Sequence, residues 1–206
     1  MGLTRINFKP AQEAGFSFLP PELLVIKEEV MKRVAIFGNA GGGKSTLAKQ
    51  LALAHKLPLH SLDKIKYKAS GEEIPQTEYL QLHSELIKRD KWIIDGFGCL
   101  KSAWARFDSA DTLIYIDLPL YKHGAWVTKR LLKGGFIKPE GWPENSSILK
   151  GSLNSYKVLW LCHKKLTPAY RELVSNAQKT KQVFHLKSPA DIKKFIIQIQ
   201  KEKSDK

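Results

Sequence analysis

The sequence predicts a three-layer α/β/α sandwich around a five-stranded parallel sheet, and three observations carry that reading. Short apolar runs of buried-strand length recur at 33–37, 57–62, 91–96, 111–117 and 182–186. Segments with apolar residues at helical spacing separate them. The first run leads directly into Gly38-Asn39-Ala40-Gly41-Gly42-Gly43-Lys44-Ser45, a G-x-x-x-x-G-K-[ST] pattern that belongs between a strand and a helix. Strands alternating with helices imply right-handed crossovers and hence a parallel sheet.

Residues 1–31 stand apart from this pattern. Pro10, Gly15, Pro20 and Pro21 interrupt every periodic run there, although 22–30 has the makings of a short helix. We read 1–31 as an N-terminal appendage and 32–203 as the domain, with Met31 as an alternative start. After the first strand and the glycine loop, Leu47, Ala48, Leu51 and Ala52 form one face of a helix. The second strand ends at Asp63, and a polar helical segment follows with Tyr79, Leu82, Leu86 and Ile87 on its apolar face. The third strand closes on Asp95-Gly96 and the fourth on Asp117. Pro119 then suits the first turn of a helix through Trp126 and Leu132.

Glycine, proline and paired serines dominate 134–150, which reads as a mobile loop within a lid region of about 129–150. A helix with Leu153, Tyr156, Leu159 and Trp160 follows, then another over 168–178. The fifth strand precedes Ser188 and Pro189, which cap a last helix with Ile192, Phe195, Ile196 and Ile199 on one face.

Composition narrows the function classes. A chain of 206 residues suits one domain with a full core, no apolar stretch is long enough to cross a bilayer, and the N-terminus lacks a signal-peptide layout. Cys99 and Cys162 have neither metal-ligand nor redox spacing, so free thiols in a reducing cytoplasm are expected. Lysine and arginine total 34 against 20 acidic residues, a formal charge of +14. Three explanations stay open: a field that steers phosphorylated substrates, a nucleic-acid-binding face, or a solvated lysine-rich surface.

The glycine loop carries the most specific chemistry. Its glycines let successive backbone N–H groups turn inward on phosphate oxygens, and the following helix adds the positive end of its dipole. Lys44 reaches the β- and γ-phosphates, and the Ser45 hydroxyl is placed to ligate Mg2+. Ligands of open α/β sheets sit beyond the carboxyl ends of the strands. Asp63, Asp95 and Asp117 all fall on that edge. Asp95 either holds the Mg2+ shell or forms a simple Asp-Gly turn. Asp63 either orients an acceptor hydroxyl or caps a helix, and Asp117 reads chiefly as a helix cap. Lys129, Arg130 and Lys133 are candidates to fold over the phosphates, or else favourable charges at a helix C-terminus. Lys101 and Arg106 either meet an acceptor or are surface residues, and Arg171 is a further candidate anion contact. The six histidines show no metal-ligand pattern, and the five tryptophans read as core.

Taken together, Gly38 to Ser45, His60-Ser61-Leu62-Asp63-Lys64, Trp92-Ile93-Ile94-Asp95-Gly96-Phe97 and Leu113-Ile114-Tyr115-Ile116-Asp117-Leu118-Pro119 resemble the adenylate-kinase-like kinases. Within them the chain is most similar to the bacterial topology modulation proteins of the FlaR type. The resemblance implies a P-loop NTPase fold with strand order 2-3-1-4-5, ATP with Mg2+, and a short lid that contributes arginine. It places Lys44, Ser45, Thr46 and Arg130 on the nucleotide side and Asp63 and Asp95 on the acceptor side. Adenylate kinases continue their Asp-Gly-Phe with Pro-Arg, where this chain has Gly98-Cys99. The implied activity is transfer of the γ-phosphoryl of ATP to a small-molecule or nucleotide acceptor. The alternative is a nucleotide-dependent regulatory or nucleic-acid-binding protein with weak ATPase activity.

Overall fold

The computed structural model describes residues 31–68, 70–134 and 148–204. Residues 1–30 and the stretch 135–147 lie outside the described residues, and so do the appendage read from the sequence, except Met31, and most of the lid loop. Five strands, β1 (Arg33–Gly38), β2 (Leu59–Ser61), β3 (Trp92–Asp95), β4 (Thr112–Ile116) and β5 (Gln182–Leu186), form one parallel sheet in the order β2-β3-β1-β4-β5. Among the described residues eight helices connect and cover them: α1 (Lys44–His55), α2 (Leu62–Lys66), α3 (Gln76–Ile87), α4 (Leu100–Ser109), α5 (Leu120–Gly134), α6 (Ile148–Lys165), α7 (Thr167–Ala177) and α8 (Pro189–Ser204).

Strand alternation divides the core in two. Val34, Ile36, Ile93, Ile114 and Ile116 point to one face, where Leu47 and Leu51 of α1 and Phe195 and Ile199 of α8 cover them. Ala35, Phe37, Ile94, Leu113 and Tyr115 point to the other, beneath α3, α4 and α7. There Phe37 stacks on Tyr115 with ring centroids 5.0 Å apart and meets Phe107 at 4.3 Å, and Phe107 meets Tyr170 edge-on at 5.8 Å. Both faces of β1 are therefore buried, which explains its unbroken apolar run. Met31 packs into the core just ahead of it.

Helix ends follow local chemistry. Lys56 takes a left-handed conformation to close α1, its N–H donating to the Ala52 carbonyl. Ser188 Oγ accepts from Asp191 N at 3.1 Å while the Asp191 carboxylate accepts from Ser188 N at 2.9 Å, a reciprocal cap on α8 at the expected serine.

Several details differ from the sequence reading. β2 is shorter than 57–62 because Pro58 has no N–H to give, and Leu62 already opens α2. On α3 the buried positions are Tyr79, His83 and Leu86, whereas Leu82 is exposed. The inward stripe is rotated by one residue. Trp92 is core, but Trp104 and Trp160 reach solvent.

His83 has a measurable consequence. It is 2% exposed and its Nε2 meets no hydrogen-bond partner. Burial, reinforced by the charge of Arg106, lowers its pKa from 6.5 to about 4. The unfolded chain protonates at the ordinary value, so between about pH 7 and about pH 5 it binds a proton the folded state refuses. Stability falls by about 2 kcal/mol over that interval. His83→Leu should remove this loss, and thermal melts across the interval should show a shallower decline than wild type. His123, lowered to about 4 in the same way, keeps its own share of the slope.

Candidate active site

The site forms where β1 ends. Gly38 has φ +137° and pairs with Ile116 across the sheet, so a Cβ there would overlap the Ile116 carbonyl oxygen. The loop then turns through Gly41 to Gly43, the N-cap of α1, whose φ of +77° no other residue adopts easily. No side chain caps α1. Its first-turn N–H groups are thus aimed out of the helix end, the arrangement that suits an anion.

Other elements fix the loop. Asn39 is buried; its Oδ1 accepts from Ala40 N at 2.9 Å and its Nδ2 donates to the Leu159 carbonyl at 3.0 Å, tying the loop to α6. His123 of α5 places Nδ1 2.9 Å from the Ala40 carbonyl oxygen, so this nitrogen carries the proton and donates. Burial first, and then the charge of Lys44, lowers the His123 pKa to about 4 and keeps the ring neutral beside the lysine. Val127 and the His123 carbonyl lie against Gly41, the His123 ring against Gly42 and Trp126 against Gly43. Sequence reasoning missed this buttress. Its signal was the i, i+3, i+4 spacing of His123, Trp126 and Val127 on the helix after β4, the strand beside β1.

The chemical groups converge at the mouth of the loop. Lys44 Nζ donates to the Asn39 carbonyl at 2.7 Å. Ser45 Oγ donates to Asp95 Oδ2 at 2.6 Å, and Thr46 follows in the first turn of α1. The register pairing Ile36 with Asp95 brings the end of β3 beside the loop. Asp95 Oδ1 is buried with no hydrogen-bond partner. A hydroxyl bonded to a carboxylate that keeps one oxygen unspent fits Mg2+, which takes few protein ligands and completes its shell with phosphate and water. Among the described residues no group of three or more histidine, cysteine or acidic side chains could cage a metal alone.

Asp63 lies in the first turn of α2, whose N-cap is Ser61, so it is not the capping residue. It is exposed, and its Oδ1 would be 3.5 Å from a Cβ on Gly96. Asp63 and Asp95 therefore flank one glycine. Residue 130 falls within α5, but the side chains of Arg130 and Lys133 lie outside the described residues; Lys129 is exposed.

Asp117 departs from the sequence reading. It caps no helix. Arg171 grips it with Nε at 2.8 Å and Nη2 at 3.0 Å, and His185 Nε2 sits 2.9 Å from the same carboxylate. Burial pushes the Asp117 pKa up, but the bonds from Arg171 and His185 outweigh it and hold the carboxyl below its usual range. Arg171 spends Nε and Nη2 on this cluster while the rest of its side chain stays largely exposed. Arg106, read as an acceptor contact or a surface residue, is completely buried, with Nη2 donating to the Gly96 carbonyl at 3.0 Å. Lys101 is exposed on α4.

No known protein family's profile matches the chain, and no curated protein matches it. Solved structures do, 198 chains of them. Among these is shikimate kinase from Acinetobacter baumannii in complex with shikimate, at TM-score 0.55 and 16% identity, covering 83% of this chain and 92% of that one. At that identity the likeness is one of architecture: the chain has the P-loop α/β fold that shikimate kinase has, a five-stranded parallel sheet covered on both sides by helices.

Proposed function

We propose that this protein is an ATP-dependent phosphotransferase of the adenylate-kinase-like class, acting on a small-molecule or nucleotide acceptor. The observation that carries the reading is the 2.6 Å bond from Ser45 to Asp95 beside Lys44, with the second Asp95 oxygen unspent. In this reading the loop from Gly38 to Ser45 and the first turn of α1, with Thr46, bind the nucleotide phosphates. Ser45 and Asp95 would hold Mg2+, which when bound neutralises charge on the β- and γ-phosphate oxygens. Lys44 stabilises the charge that builds on the transferred group, and Arg130 does so from the lid. An acceptor hydroxyl oxygen bonds to the γ-phosphorus as the bond to the ADP oxygen breaks. Asp63 orients that hydroxyl and takes its proton.

The domain assignment follows: 32–203 as the kinase-like unit with a lid at about 129–150, and 1–31 as an appendage. The Leu62-Asp63-Lys64 and Asp95-Gly96 segments support a place beside the bacterial topology modulation proteins. Free Cys99 and Cys162 suit a cytoplasmic setting. Among the described residues no helix is long and apolar enough to cross a membrane.

A screen reading ADP release with Mg2+ and ATP, across nucleosides, nucleotides, sugars and small acids including shikimate, tests this directly. At least one acceptor should raise the rate above basal hydrolysis. Asp63→Asn should then cut the stimulated rate about 10²-fold and leave the KM for ATP within about twofold. Basal hydrolysis alone would sink the transferase and favour the regulatory alternative, which the formal charge of +14 supports. That alternative requires nucleic-acid binding that weakens steeply with salt.

A further inference from the structure

Among the described residues Arg106 is the charged side chain with no exposed surface, being 0% exposed in the last turn of α4. Its side chain runs back toward the start of the helix, as long side chains on helices do. There Nη2 donates to the Gly96 carbonyl, while Nε and Nη1 meet no acceptor. Its immediate neighbours are aromatic: the Phe107 ring lies 5.3 Å from the guanidinium carbon, and Tyr79, Tyr170, Cys99 and His83 also interact with its charge. Asp95 feels its charge, but no ion pair among the described residues includes it.

A guanidinium cannot discard its proton, so this pocket carries a full positive charge. Burying such a charge without a paired anion costs more than one hydrogen bond to a carbonyl returns, and an apolar side chain of similar volume is commonly neutral or stabilising at such sites. Fold stability therefore does not account for Arg106. The carbonyl it holds does. Gly96 has φ +109° and Gly98 φ +69°, so the backbone leaving β3 has unusual freedom. Gly96 also joins Asp95 to the position Asp63 faces. Without an anchor on that peptide, neither the set of Asp95 against Ser45 nor its spacing from Asp63 would be held.

We propose that Arg106 is a positioning residue for phosphoryl transfer: by clamping the Gly96 carbonyl it sets Asp95 against Ser45 and fixes the gap to Asp63, and its charge is retained at a net loss of fold stability. This role rests on the kinase reading above. It also concerns a residue that touches neither nucleotide nor acceptor, since the guanidinium is sealed beneath the Gly96 peptide.

Arg106→Met and Arg106→Lys test it with three readouts: melting temperature, ATP affinity with and without Mg2+, and kcat for ADP release. Arg106→Met should melt at or above the wild-type temperature. Its Mg2+-free ATP affinity should stay within about twofold, because the loop from Gly38 to Lys44 is untouched. The factor by which Mg2+ tightens ATP binding should shrink, and kcat should fall about tenfold or more, as misplaced groups cost rate steeply. Arg106→Lys should recover part of both. An Arg106→Met protein that does not fold, that melts well below wild type, or that keeps wild-type kcat and Mg2+ response overturns the proposal. Wild-type protein that binds no ATP overturns the kinase reading and this role together. Wild-type turnover unaffected by Arg106→Met overturns this role alone.

Discussion

Lys44→Ala should lower the rate of ADP release about 10²- to 10³-fold, the largest functional effect of any single change in this molecule. The Lys44 amine is drawn into the loop by the Asn39 carbonyl, 2.7 Å away, at the residue where the loop becomes helix. A phosphoryl group seated on the α1 N-terminus would lie within its reach, and charge that grows on that group during transfer would be stabilised by the ammonium more than charge already present in bound ATP. The loss should therefore appear in kcat, beyond the weaker binding of ATP itself. The fold should survive, because Lys44 is only half-buried, at the first position of α1. Steady-state ADP release beside a melting curve checks both halves; a variant with unchanged turnover would remove Lys44 from the chemistry.

Gly38→Ala should be the most destabilising small substitution in the loop. The new methyl would overlap the carbonyl oxygen of Ile116 in the neighbouring strand, and the backbone would remain at φ +137°. Neither neighbour can yield without parting β1 from β4, whose pairing runs from Val34 to Gly38. Strain and overpacking together amount to about 4 kcal/mol, or about 12 °C in melting temperature for a domain of this size. Gly124→Ala is the matched control. A Cβ at Gly124 meets nothing within 4 Å inside α5, so the same chemical change should be neutral or stabilise by about 0.5 kcal/mol. Equal effects at the two positions would contradict the close approach at Gly38.

The sheet was legible because buried parallel strands must be apolar on both faces and because the glycine loop demands a strand before it and a helix after it. That Ser45 and Asp95 come together was legible for a related reason: each closes or follows one of those strands, and strand ends share an edge. What stayed hidden depends on contacts between distant parts of the chain. Nothing near Asp117 announces that Arg171 and His185 will claim it, 54 and 68 residues later. The bond from His123 to the loop at Ala40 spans 83 residues. Arg106 was misread for a different reason, since charge ordinarily means exposure and its complete burial breaks that rule. On α3, apolarity favoured Leu82 where packing chose His83, one residue and about 100° around the helix. The segment after Gly96 was the least legible part, because Gly98-Cys99 departs from the Pro-Arg of the kinases the chain resembles.

The central claim is that the loop from Gly38 to Ser45, with Asp95 across from it, holds ATP together with Mg2+. Equilibrium titration of ATP into wild type and Lys44→Ala, each with and without Mg2+, tests it most directly. Wild type should bind ATP and bind it more tightly with Mg2+, and Lys44→Ala should bind at least about tenfold more weakly in both conditions, the loss of one charge-assisted contact. Affinity unchanged by Lys44→Ala, or no saturable binding to wild type, would contradict the account.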